Sequence, residues 1–210
     1  MRTAPLIAIA FALAIAATAC GARLPEEPSA ARGAVSVVKM RHQISFRHGD
    51  DVQVFDGYML LAGEKLLVRA FAGPGVDLFT VVRDGAAHRE ELHIASLSDR
   101  IDMPAVGADI ARVYLGGCGA PSGGFEERCE FYGEPMIEKR DAASRLEERR
   151  FPEAHGVGLT VTYRGFTTCA GSERAGDISL RWGGSANEMI IHLVACEVKK
   201  DVDPAVFSTE

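Results

Sequence analysis

From residue 35 to 95 the chain alternates between apolar runs and turn-forming clusters, His48-Gly49-Asp50, Ala62-Gly63-Glu64, Gly73-Pro74-Gly75 and Asp84-Gly85. The clusters recur at roughly 8–12 residue intervals, the spacing of a β-meander. The runs between them, 37–47, 52–61, 65–72, 76–83 and 87–95, have strand length and are rich in Val, Leu, Ile and Phe. Asp84-Gly85 reads as a two-residue type I′ hairpin, since both central positions of that turn need positive φ. Residues 76–82 are apolar at nearly every position, which predicts a strand covered on both faces. Core on one side and a helix or a bound apolar ligand on the other would give this pattern, and so would plain core burial.

Helical spacing is confined to one segment. In 104–115, Val106, Ile110 and Val113 share a face, Pro104 suits the first turn and Gly116-Gly117 ends it. This helix is expected to cover one face of the sheet. Residues 116–128 are rich in Gly and charge and read as a surface loop. In 136–150 helix formers dominate without an apolar stripe, and 141–144 reads as the turn of a polar hairpin. Three further strands are expected at 159–163, 178–182 and 189–198, the last two joined through Gly183-Gly184-Ser185. The pattern amounts to a mainly β, α+β chain of about nine antiparallel strands, an estimate from turn spacing, with one principal helix.

The N-terminus departs from this pattern. Met1-Arg2, an uncharged stretch over 6–17 and Ala17-Thr18-Ala19-Cys20 have the order of a bacterial export signal. Two processing routes fit: cleavage at the small-x-small site, or lipobox recognition with acylation of Cys20. Both cut before Cys20. The apolar run is shorter than the ~20 residues of a membrane span. Residues 1–19 are thus a signal peptide, 20–34 a lipidated Cys and tether with two prolines, 35–200 a β-rich domain and 201–210 a C-terminal tail. Cysteine parity favours the lipobox. Of five cysteines, acylating Cys20 leaves Cys118, Cys129, Cys169 and Cys196, able to form two disulfides in an oxidising envelope. The pairing favoured is Cys118 with Cys129 and Cys169 with Cys196, the nearest partners in sequence. Four reduced, buried thiols are the alternative.

Apolar residues make up 47% of the chain and the net charge is -6. An acidic balance argues against nucleic acid and against electrostatic adhesion to anionic lipid, which need clustered Lys and Arg. Contact with the membrane is then through the N-terminal lipid anchor, since two or three acyl chains hold stably where one is marginal.

Catalytic patterns fail on inspection. His88 and His93 are five apart, whereas a zincin helix needs His residues four apart, so no metal site is expected. Ser172 and Ser185 lack the Gly-x-Ser-x-Gly elbow. No Walker loop, dinucleotide fingerprint, calcium loop or C-x-x-C occurs, and no cofactor is expected. Glu64, Asp109 and Glu173 could pair as catalytic carboxylates only through tertiary proximity. The charged run Glu147-Glu148-Arg149-Arg150 reads as a solvated face. The chain is therefore expected not to be an enzyme.

Three segments, Phe55-Asp56-Gly57-Tyr58-Met59-Leu60-Leu61, Leu66-Leu67-Val68-Arg69-Ala70-Phe71 and Asp77-Leu78-Phe79-Thr80-Val81-Val82-Arg83-Asp84-Gly85, together with strands 178–182 and 189–194, resemble the LolA/LolB-like bacterial lipoproteins. The likeness extends over residues 37–198 without a diagnostic motif. It implies a single curved antiparallel sheet, a half-barrel whose concave face is closed by one or two helices and binds acyl chains. The chain lacks the protruding apolar loop of the receptor member; only Phe71 and Val76 flank the nearest equivalent, 72–76. The resemblance implies an outer-membrane-anchored periplasmic lipoprotein that binds lipid, acyl chains or another lipoprotein in an apolar groove. Gly21, where inner-membrane retention uses Asp, points to the outer membrane by analogy. Phe71, Leu78, Val81 and Trp182 are the candidate lining residues, although structural core is the first reading of each, since an apolar pattern does not distinguish a lined cavity from a filled one. The alternative is a non-enzymatic envelope scaffold holding a protein partner through a sheet edge or loop.

Overall fold

The computed structural model describes residues 35–73, 75–99, 101–119 and 125–209. Cys20, the signal segment and the tether lie outside the described residues, as does part of the loop expected at 116–128.

The first five strands follow the meander: β1 (Val35–His48), β2 (Asp51–Ala62), β3 (Lys65–Phe71), β4 (Asp77–Asp84) and β5 (Ala87–Leu92). Helix α1 (Met103–Tyr114) comes next, then β6 (Glu126–Phe131), β7 (Glu134–Arg140), β8 (Leu146–Phe151) and β9 (Leu159–Arg164). The chain closes with β10 (Thr167–Cys169), β11 (Ser172–Arg174), β12 (Asp177–Trp182) and β13 (Glu188–Val202). Eleven strands form one antiparallel sheet in the order β5-β4-β3-β2-β1-β13-β12-β9-β8-β7-β6, and β10 and β11 pair separately. The two longest strands, β1 and β13, lie side by side at its centre. Among the described residues no helix is long and apolar enough to cross a membrane.

Helix α1 explains the curvature. It connects β5 at one edge of the sheet to β6 at the other. Twelve residues rising ~1.5 Å each span about 18 Å, whereas eleven flat strands at ~4.8 Å spacing would hold the edges about 48 Å apart. Yet the helix packs on β4 and β5 and also bonds to β7, β8 and β9 through Glu134, Arg149 and Tyr163. The sheet must wrap around it, so the structure is an open half-barrel. Its inner face carries Met40, Met59, Leu66, Val68, Val81, Met136, Phe151, Val161 and Leu180, packed with Met103, Ala111, Val113 and Leu115 of α1.

The helix begins at an Asp102 cap, whose Oδ1 accepts the Ala105 N–H at 3.3 Å, and stops at Gly116, where φ is +63°, a left-handed conformation that suits glycine. Strand β4 is indeed covered on both sides. Val81 points into the main core, while a 3-10 turn at Pro204–Phe207 packs against β3 and β4 from outside. There Phe207 forms a second cluster with Val37 and Leu60.

Four differences from the sequence reading are instructive. The sheet gains β6, a strand of alternating charge, Glu126-Glu127-Arg128-Cys129-Glu130-Phe131, within and beyond the stretch read as loop. The short β10–β11 hairpin is also additional. The turn between β4 and β5 is Gly85-Ala86, one residue further on, since Asp84 pairs with Ala87; only Gly85 takes positive φ, +58°, so one glycine suffices. Finally, the run Glu147 to Arg150 is not a solvated face throughout: β8 turns Arg149 inward, where it is 5% exposed. The hairpin expected around 141–144 is present, its loop closed by Asp141 Oδ1 accepting from the Ala143 and Arg145 amides.

Candidate functional site

Alternation along the inner face sets three polar groups inside the half-barrel. Met136 and Glu138 of β7, Arg149 and Phe151 of β8, and Met40, His42 and Ile44 of β1 all point inward. Glu138 and Arg149 are direct cross-strand partners. The Arg149 guanidinium donates from Nε to Glu138 Oε1 at 2.8 Å, and from Nη1 and Nη2 to the carbonyls of Leu115 and Gly116 at 3.0 and 2.7 Å. It also reaches the carbonyls of Arg112 and Val113. These are the unpaired carbonyls at the C-terminal end of α1, where the helix dipole favours a cation. Tyr163 donates to the Val113 carbonyl at 2.9 Å, and burial pushes its phenol up to about 12.

Beside this network lies a cavity of about 370 Å³. Its floor is Met40 and His42 of β1, Val113 and Tyr114 of α1, Tyr163 of β9 and Ile178 of β12. Its mouth is set by Arg140, Arg145 and Leu146 around the β7–β8 loop, and by Phe166, Glu173, Arg174 and Ala175 of the segment carrying β10 and β11. Two disulfides fix the surroundings. Cys169 of β10 is bonded to Cys196 of β13, Cα atoms 5.8 Å apart, tying the hairpin to the central strand. Cys118, just past α1, is bonded to Cys129 of β6, their Cα atoms 5.4 Å apart, the pairing expected from sequence.

His42 is the titratable group of the floor. It is 4% exposed, its Nε2 lies 3.3 Å from the Tyr114 hydroxyl, and burial, with His192 adding to it, pushes the imidazole down to about 4. Burial likewise drives the Tyr114 phenol far above its ordinary range. Both groups are therefore uncharged near neutral pH.

A second polar cluster joins the opposite side of α1 to the sheet. Asp109 Oδ1 accepts from Arg112 at 2.6 Å and lies 2.8 Å from His155 Nε2, while its Oδ2 accepts the Trp182 indole N–H at 3.1 Å. Arg112 in turn clasps Glu134 with two donors. Every strong acceptor of Asp109 is thus engaged, and the cluster pins the helix to β7, β12 and the loop after β8. Glu64 instead accepts from Tyr132, and Glu173 stands at the cavity mouth, so the three carboxylates are not brought together. Among the described residues no group of three or more His, Cys, Asp or Glu is placed to hold a metal.

None of the four residues singled out as groove lining borders the cavity. Val81 is fully buried in the packed core, Leu78 and Trp182 are half-buried against it, and Phe71 ends β3 beneath the Arg69 guanidinium. Cys20 lies outside the described residues. The residues that do line the cavity, Met40, Tyr163 and Ile178, had a legible sign in the β-alternation, but nothing in it separates a wall from a filled core.

No family model matches the chain, and no curated protein matches it in sequence. Solved structures do. A LolA superfamily protein from Nitrosomonas europaea superposes with a TM-score of 0.53 at 14% identity, covering 85% of this chain and 91% of that one. A domain classed as an outer membrane lipoprotein-sorting protein, from Vibrio parahaemolyticus, gives 0.52 at 10% identity over 82% and 89%. The chain has a LolA/LolB-like fold: mostly β, with one large open antiparallel sheet and, among the described residues, a single α-helix.

Proposed function

We propose that this protein is a lipid-anchored protein of the bacterial envelope that binds an acyl chain, a lipid or another lipoprotein between α1 and the sheet, without catalysing a reaction. The observation that carries the reading is the cavity itself. A half-barrel of this kind can be filled solid, but here the inner face near the C-terminal end of α1 leaves about 370 Å³ open over Met40, Val113, Tyr163 and Ile178. That volume falls within the range of roughly 300–1,000 Å³ typical of small-ligand pockets. The fold shared with a domain classed under outer membrane lipoprotein sorting supports the same reading.

Ligand contact is assigned to these residues in preference to Phe71, Leu78, Val81 and Trp182. Anchoring rests on Cys20 and outer-membrane placement on Gly21, both read from sequence. The scaffold alternative is weakened at the sheet edges: β5 carries His88, Arg89, Glu90 and Glu91, and β6 carries Glu126, Glu127, Arg128 and Glu130, charges that discourage edge pairing.

The test is lipid extraction and mass analysis of the protein purified natively from membranes. Stoichiometric lipid beyond the anchor is the expected result; an empty cavity together with a reproducible protein partner would reject the reading in favour of a scaffold. Cys20→Ala tests the anchor separately, since fully processed variant that stays in the membrane would show the attachment to be something else.

A further inference from the structure

We propose that the cavity selects a single-chain amphiphile with a carboxylate head, the chain lying on the apolar floor and the head held by Arg174 at the mouth. This rests on the lipid-binding reading and narrows it.

The charges around the cavity differ in how far they are already engaged. Arg149 is committed to Glu138 and to the end of α1. Arg140 pairs with Glu138 at 2.9 Å and Arg145 with Asp141 at 2.6 Å. Glu173 is exposed, and its charge is felt by Arg145. Arg174, half-buried on β11, has no ion pair among the described residues, and its Nε is buried without a hydrogen-bond partner. The Nε of Arg140, across the same mouth, is also buried and unpartnered. Buried donors without acceptors are costly to leave unsatisfied, and Arg140 and Arg174, which both line this cavity, each bury one. A planar carboxylate supplies the acceptors and the charge that a guanidinium fork fits.

The floor fixes the other end of the ligand. His42 and Tyr114 are held neutral and the buried Arg149 is already paired with Glu138, so the depth of the cavity offers no free counter-charge, and Met40, Val113 and Ile178 favour methylenes. Its volume of about 370 Å³ is near the lower end of the pocket range, roughly 300–1,000 Å³, which suits one chain better than two or three.

The experiment uses the mature protein and displacement of the neutral fluorophore N-phenylnaphthylamine by dodecanoate, dodecanol and dodecyltrimethylammonium, which share a chain and differ in the head. Dodecanoate is expected to bind about tenfold more tightly than dodecanol and the cation to bind weakest, a difference set by charge-assisted hydrogen bonding. Arg174→Gln should bring dodecanoate to within about twofold of dodecanol while leaving dodecanol unchanged, and Arg174→Lys should keep part of the preference. Equal binding of dodecanoate and dodecanol by the unaltered protein would overturn the head-group assignment and leave the lipid-binding reading standing. Failure of all three to displace the fluorophore or to bind directly would remove that reading and this inference together. The order of the three heads decides the question even if Arg174→Gln does not fold.

Discussion

Arg149 and Glu138 face each other across β7 and β8 inside the half-barrel, Nε to Oε1 at 2.8 Å, and through them the end of α1 is tied to the C-terminal half of the sheet. Glu138 is 1% exposed, and it also accepts from Arg140 and from the Cys118 amide. Removing it leaves a guanidinium buried without its counter-ion, so Glu138→Ala should lower the unfolding free energy by about 3–5 kcal/mol. Replacing both partners by Met should not fully restore stability, because the carbonyls of Leu115 and Gly116 lose their donor as well. Urea unfolding of the two single variants and the double variant gives the comparison. A double variant as stable as the parent would mean that the pair does not cap the helix.

Gly107 lies where α1 meets β4 and β5. A Cβ there would meet Glu90 Oε1 and come within 2.8 Å of Glu90 Cγ and 3.0 Å of Arg83 Nη2. Alanine is a better helix former by about 1 kcal/mol, but the Arg83–Glu90 pair beneath it is only 12% and 8% exposed and has little room to move. Steric displacement should win: Gly107→Ala should destabilise by roughly 1–3 kcal/mol, the usual cost of overpacking. A rise in melting temperature would show that the helix is not seated against this pair.

The meander, α1 and the β7–β8 hairpin were legible in sequence because each carries its own period or turn chemistry. Strand β6 was not, because as an edge it buries little beyond Phe131 and so alternates charge with charge. Arg149 misled for a related reason. Its neighbours Glu147, Glu148 and Arg150 are more exposed, and the carbonyls that accept from it belong to a helix more than thirty residues earlier. Asp109 looked isolated because His155 and Trp182 approach it only in the folded chain. The cavity was hidden more deeply: Tyr163 and Ile178 alternate inward as Val161 and Leu180 do, and which pair borders open space is decided by where the helix ends.

The Cys169–Cys196 bond spans 27 residues and fastens the hairpin that forms one lip of the cavity. Chain entropy assigns such a loop about 3.5 kcal/mol, against about 2.8 kcal/mol for the 11-residue separation of Cys118 and Cys129. Replacing Cys169 and Cys196 by Ser should therefore cost somewhat more stability than replacing the other pair, and should also raise amide hydrogen exchange in β10 and β11 before it rises elsewhere in the sheet. Unchanged exchange in the hairpin would show that packing, and not the bond, holds the lip.

His42 makes stability depend on pH in a defined window. Its folded value, about 4, lies below the ordinary 6.5, so between the two the unfolded chain binds a proton that the folded chain refuses. Acid in that range favours unfolding: the contribution is intact above 6.5 and is lost progressively as pH falls towards 4, by an amount on the order of 3 kcal/mol. The groups around the ring reinforce the sign, since Tyr114 offers a neutral hydroxyl and the charge of His192 opposes a second cation. His42→Leu removes the proton site while keeping an apolar floor. The difference in unfolding free energy between pH 7 and pH 4.5 should shrink in this variant relative to the parent, whatever its absolute stability. An identical pH slope in both proteins would place the acid sensitivity on other residues.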